Sequence, residues 1–145
     1  MNDVNQIVEA FLACTLPKAE WTHEAHLKVG LWHGLRYSAD ESLNLLRERI
    51  KRYNIASGTP NTDSSGYHET ITGFYVWQIG YFLQETAHDE SIDELADELI
   101  KQYGDRMLPL TYWNRERLFS VRARLSWVEP DLQQLPSLDG GFYGK

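Results

Sequence analysis

Three histidines and a glutamate are the side chains here best placed to do chemistry. His23 and His26 stand in Trp21-Thr22-His23-Glu24-Ala25-His26, and His68 and Glu69 in Gly66-Tyr67-His68-Glu69-Thr70. Each segment follows a polar turn signal and opens a predicted aromatic-rich helix. A helix turns about 100° per residue, so His23 and His26 share a face, and such an H-x-x-H pair can chelate one divalent ion. With His68 brought in from the other helix entrance, three imidazoles would hold the ion and leave positions open for water or substrate. Glu69 and Glu24 are the candidate general bases or ligand-orienting groups, and Tyr67 is a candidate acid. Asn61, Asp63 and Tyr75 would contact a small polar substrate. Zinc makes hydrolysis the default reaction; iron or nickel, which an all-histidine set also accepts, would bring oxygen chemistry. The positive end of a helix disfavours imidazolium, so His23 and His68 are expected to be neutral, as a ligand or base must be.

The competing expectation is a non-catalytic helical module that binds a small molecule or a protein, its histidines serving as hydrogen-bonding groups at buried helix ends. His33 falls in the same arc of about 80° as His23, His26, Gly30 and Tyr37, and reads as a half-buried packing residue. His88-Asp89 has the form of the metal doublet of HD phosphohydrolases, but no histidine follows it. Cys14 is the single cysteine, which excludes an intramolecular disulfide and a cysteine-based zinc framework. Its place in the first predicted helix suits an inert buried thiol better than a nucleophile. Arg115 and Arg122 share one helix face and Arg117 and Arg124 another. Each pair could hold a carboxylate or phosphate, although in an acidic protein salt bridges are the expected use.

The elements that must position these groups are helical. Asp3 caps a first helix carrying Val4, Ile7, Val8, Phe11 and Leu12. Thr22 caps a second that runs to about Tyr37. Ser38-Ala39-Asp40-Glu41 and Ser91-Ile92-Asp93-Glu94 are capping boxes that start a third and a fifth. Between them, residues from Tyr67 to about Thr86 carry large apolar side chains all round, the mark of a buried central helix. A last helix starts at Thr111 or Asn114 and carries Leu118, Val121 and Leu125. The polar stretch from Asn54 to Ser65 is a loop, either a mobile lid leading into His68 or a plain connection. No two-residue apolar alternation argues for strands. The expected fold is all-α, a single-domain bundle of about five or six helices over residues 1–145, with an irregular tail from 126 to 145.

Composition narrows the partners. Fourteen basic against twenty-one acidic side chains give a net charge of -7, which argues against nucleic acid or an anionic membrane. The start of the chain lacks a basic leader and no apolar run approaches a membrane span, so a cytoplasmic protein is expected. A small polar molecule is the expected ligand, with a homodimer one use for the aromatic surface.

Several motifs carry a resemblance. Trp21-Thr22-His23-x-x-His26, Gly58-Thr59-Pro60-Asn61-Thr62-Asp63, Gly66-Tyr67-His68-Glu69-Thr70-Ile71-Thr72, Arg117-Leu118-Phe119-Ser120 and Trp127-Val128-Glu129-Pro130-Asp131-Leu132 resemble a family of small uncharacterised bacterial proteins. The similarity runs over nearly the whole chain. It implies a bacterial origin and supplies no catalytic roles.

Overall fold

A computed structural model describes residues 3–86 and 89–138, and among them the chain is all helical. The order is α1 (Val4–Leu12), α2 (His23–Arg36), α3 (Ala39–Ala56), α4 (Glu69–Glu85), α5 (Ile92–Tyr103), α6 (Arg115–Leu118) and α7 (Val121–Leu125), with short 3₁₀ turns at Lys18–Glu20 and Leu108–Thr111. The polar signals begin helices as their chemistry requires. Asp3, Ser38 and Ser91 each accept from the backbone N–H three residues on, while Gln6, Glu41 and Glu94 reach back to the cap. Thr22 accepts from the Ala25 N–H at the start of α2.

The last predicted helix is broken in two. Phe119 closes α6, and Ser120 caps α7 by accepting from the Ala123 N–H. Leu118, Val121 and Leu125 keep helical spacing across the break, so the apolar pattern hides a serine that acts as a cap rather than as a surface residue.

Helix α4 is the centre of the bundle and packs against α2, α3 and α7. Phe74, Trp77, Ile79 and Phe82 are all nearly inaccessible and lie on different sides of it. Its approach to α2 depends on missing side chains. A Cβ on Gly30 would lie 2.6 Å from Ile79 Cδ1, and one on Gly34 3.0 Å from Ile79 Cγ2. The space left by Gly30 is thus taken up largely by a packed isoleucine.

The segment after α7 is irregular but strapped to the core. The Thr70 hydroxyl donates to Ser126 O and accepts from Val128 N–H. The indoles of Trp113 and Trp77 donate to Val128 O and Pro136 O. The loop expected from Asn54 begins later, because α3 continues to Ala56, and residues 57–65 are likewise pinned. The Asn61 side chain donates to Lys51 O, and its Oδ1 accepts from Asn54 Nδ2 and Tyr67 N–H. Gly66 follows at φ +80, where a Cβ would meet Pro60 O at 2.5 Å. This loop is a tied connection and not a free lid.

Candidate functional site

His23 and His26 come together, and they do so on a cavity of about 360 Å³ between α2, α3 and α4. Thr22 starts the helix that carries both, so the cap fixes where the two rings emerge. Leu27, Val29, Leu46, Ile50, Val76 and Ile79 supply much of the wall, which is therefore mainly apolar. Tyr75 joins it from α4 and Arg106 from the segment after α5. The Tyr75 and His23 rings meet edge to face with centroids 5.4 Å apart. Tyr75 OH and His23 Nε2 are both buried without a hydrogen-bond partner among the described residues. Buried polar atoms are rarely left this way, and each one left unpaired costs about 1–3 kcal/mol.

His26 is held differently. Its Nδ1 lies 2.6 Å from Thr22 O, and since a carbonyl only accepts, Nδ1 carries the proton. The ring stacks on Trp21 at 3.7 Å, and Trp21 in turn stacks on Phe11. The residue lines the cavity and keeps more than a third of its surface accessible. Nε2 is then an acceptor with no partner among the described residues. Burial lowers the imidazole to about 4, with the Thr22 bond opposing the shift and His23 and Arg106 adding to it. Burial, then Arg106, also lowers His23, while Glu24 and Asp105 pull the other way. Burial first, and then Asp105, pushes the Tyr75 phenol well above its ordinary range. At neutral pH the cavity thus presents neutral imidazoles and a neutral phenol.

His68 does not join them. It caps α4, its Nδ1 accepting from the Ile71 N–H at 3.1 Å, while Nε2 donates to Leu118 O at 2.8 Å. Both ring nitrogens are committed, so neither has a lone pair to give a metal. Among the described residues no group of three or more His, Cys, Asp or Glu side chains is arranged to hold a metal ion. The expected His23, His26 and His68 triad for Zn, Fe or Ni therefore has no matching donor set, because helix capping claims the third ligand.

The expected catalytic residues are placed elsewhere as well. Glu69 receives two bonds from Arg47, Nε to Oε1 at 2.9 Å and Nη2 to Oε2 at 2.6 Å, and Tyr67 OH donates to Oε1 at 2.7 Å. Burial alone would raise its carboxyl, but the bonds from Arg47 and Tyr67 outweigh burial and hold it below the ordinary range. A carboxylate so stabilised is a poor general base. The Tyr67 phenol is driven far upward by burial and by the adjacent Glu69 anion. Glu24 is exposed in the first turn of α2 and lines neither this cavity nor the one beside Glu69. Asn61 spends its amide on the loop, and Asp63 is exposed. Of the expected substrate contacts, Tyr75 alone reaches the histidine pair.

Two further histidine and cysteine assignments can be placed. His33 is fully buried, its Nδ1 donating to Val29 O while Nε2 accepts from Arg49 Nη1. Cys14 lies beyond the end of α1 at φ 60, packed against the core and away from the cavity lining. His88 lies outside the described residues.

Arg106, Trp21 and Thr72 are cavity residues that the sequence patterns did not single out as site groups. Trp21 sits beside the H-x-x-H pair and could have been found from that adjacency. Arg106 is remote in sequence and carried no signal. No family model, no curated protein and no solved structure matches the chain. Among the described residues no helix is long and apolar enough to cross a membrane.

Proposed function

We propose that the chain binds a small, mainly apolar organic molecule carrying one hydroxyl-like head group, and that it does so in the cavity bordered by His23, His26 and Tyr75. One observation carries the reading: His23 and Tyr75, each with a buried polar atom that has no partner among the described residues, line a mainly apolar cavity. A few convergent polar groups on an apolar wall are the usual composition of a ligand pocket, and about 360 Å³ falls at the lower end of the usual size range. His26 Nε2 offers a lone pair to a donor, and Tyr75 OH can both donate and accept. A ligand hydroxyl answers both needs.

Binding fits these groups better than proton transfer. A general base works best with a pKa near the working pH, and His26 at about 4 is too weak to take a proton efficiently at neutrality. The same weakness keeps the ring neutral and its acceptor constant. The ligand differs from the small polar substrate expected from the sequence, because the helix faces around the histidines are leucine, valine and isoleucine.

The test is a thermal-shift and tryptophan-fluorescence titration with 2-naphthol and, beside it, naphthalene. Trp21 lines the cavity and reports occupancy. The expected result is saturable stabilisation by 2-naphthol, lost in Ile71→Trp, which fills the space. Tyr75→Phe should weaken 2-naphthol roughly tenfold, the equivalent of about 1.4 kcal/mol, and leave naphthalene unchanged. Stabilisation that survives Ile71→Trp, or no saturable response to either probe, would sink the proposal.

A further inference from the structure

A second cavity, of about 220 Å³, lies beside the entrance of α4. Arg47 and Lys51 border it from α3, Tyr67 and Glu69 from the α4 entrance, and Arg124 from α7. We propose that it is a binding site for a small oxyanion, a phosphate or carboxylate group on a small molecule, held chiefly by Lys51 and Arg124.

Charge is the first support. Three cations and one carboxylate line the cleft in a chain whose net charge is -7. Arg47 and Glu69 neutralise one another through their paired bonds, and Tyr67 occupies a further lone pair of the carboxylate. What remains is Lys51 and Arg124, and neither forms a salt bridge among the described residues, although Lys51 is near enough to Glu69 to help hold its carboxyl down. The Lys51 ammonium lies 5.3 Å from the centre of the Tyr67 ring. Arg124 Nη1 donates to Gly66 O at 2.8 Å and Tyr67 O at 3.3 Å. Carbonyls orient a guanidinium without cancelling its charge. The rest of the fork keeps donors for a second, anionic partner.

Preorganisation is the second support. Part of the wall is the loop that Asn61 ties to Lys51 O and to the Tyr67 N–H. Arg124 binds the carbonyls at the end of the same loop. Binding therefore need not order a flexible segment, which is the usual loss of affinity in an open cleft. The volume admits a small molecule that carries a phosphate or carboxylate group. This cleft is built from different residues than the apolar cavity and stands whether or not that cavity binds a ligand. Salt bridges were the expected use of the α7 arginines; Arg124 instead meets carbonyls at the rim of a cleft.

The experiment is an NMR titration of the whole chain with inorganic phosphate, followed by phenyl phosphate and succinate, against sodium chloride at matched ionic strength. The Trp127 indole, at the cleft wall, is the main reporter. Saturable shifts there with phosphate are expected, about tenfold weaker in both Lys51→Gln and Arg124→Gln. Phenyl phosphate and succinate separate phosphate from carboxylate preference. Arg124→Gln also removes bonds that hold the loop; Lys51→Gln has no hydrogen bond to lose and carries the test alone. The 2-naphthol response should be untouched by Lys51→Gln. No saturable shift with any oxyanion, an equal response to chloride, or undiminished binding in Lys51→Gln would overturn the proposal.

Discussion

Replacing His68 separates a structural histidine from a metal ligand. In His68→Ala the Ile71 N–H loses its capping acceptor and the buried Leu118 carbonyl loses its donor. Loss of an N-cap costs about 1 kcal/mol, and an unsatisfied buried carbonyl about 1–3 kcal/mol. Together the change should lower stability by about 2–4 kcal/mol. At roughly 3–4 °C per kcal/mol for a chain of this size, Tm should fall by on the order of 10 °C. Urea denaturation and a thermal scan, followed by tryptophan fluorescence, read both quantities. His68→Asn keeps a capping acceptor but does not reach Leu118, so it should recover about 1 kcal/mol of the loss. Adding EDTA to the unaltered protein should leave Tm where it was. The reasoning fails if His68→Ala is as stable as the parent, or if chelation alone reproduces the loss.

Acid should destabilise the fold in a defined window. Burial lowers His33 to about 4, with the Val29 bond opposing the shift and Arg49 reinforcing it. Its ordinary value is near 6.5, so the unfolded chain binds the extra proton between these limits. This stability is complete above about pH 6.5 and is lost as pH falls toward 4. At pH 5 the loss from His33 alone is about 2 kcal/mol, on the order-of-magnitude linkage arithmetic. Urea midpoints for the parent and His33→Gln at pH 7.5 and 5.0 should diverge by that amount, and identical pH dependence in the two would contradict it. Gly30→Ala places a methyl 2.6 Å from Ile79 Cδ1, the mobile end of a side chain bordering the apolar cavity. Helix propensity gains about 1 kcal/mol and crowding costs a similar amount, so stability should change by under about 1 kcal/mol. Displaced Ile79 should meanwhile enter the cavity and weaken 2-naphthol; unchanged binding with unchanged stability would refute that coupling.

The helices were legible because local chemistry alone decides their starts. Asp3, Thr22, Ser38 and Ser91 each cap the helix that their position in the sequence announces. Burial of α4 was equally open, since no face of it could be left to water. What periodicity could not resolve is which helix ends converge. His23 and His68 stand at equivalent helix entrances, yet only His23 reaches the α2–α4 cavity; His68 turns to Leu118, fifty positions away in the chain. That partner has no sequence signature, because a backbone carbonyl is the same at every residue. The Asn61 knot was missed for a similar reason: its bonds run to backbone groups and to one amide, so the segment's polar composition reads as mobility.

Hydrogen-bond completion sorts the histidines where position does not. His33 and His68 each satisfy both ring nitrogens within the protein, one against Val29 and Arg49, the other against Ile71 and Leu118. An imidazole in that state is closed to any ligand, because approach would require breaking a buried bond first. His26 uses one nitrogen on Thr22, and His23 Nε2 has no bond at all. Among the described histidines the two with spare capacity are those that share a cavity, and Tyr75, whose hydroxyl also lacks a partner there, borders the same space. An apolar core would be more stable with phenylalanine at 75 and leucine at 23, since neither would bury an unpaired polar atom. Keeping both polar groups at an apolar cavity is the arrangement expected of a site whose hydrogen bonds are completed by something that enters it.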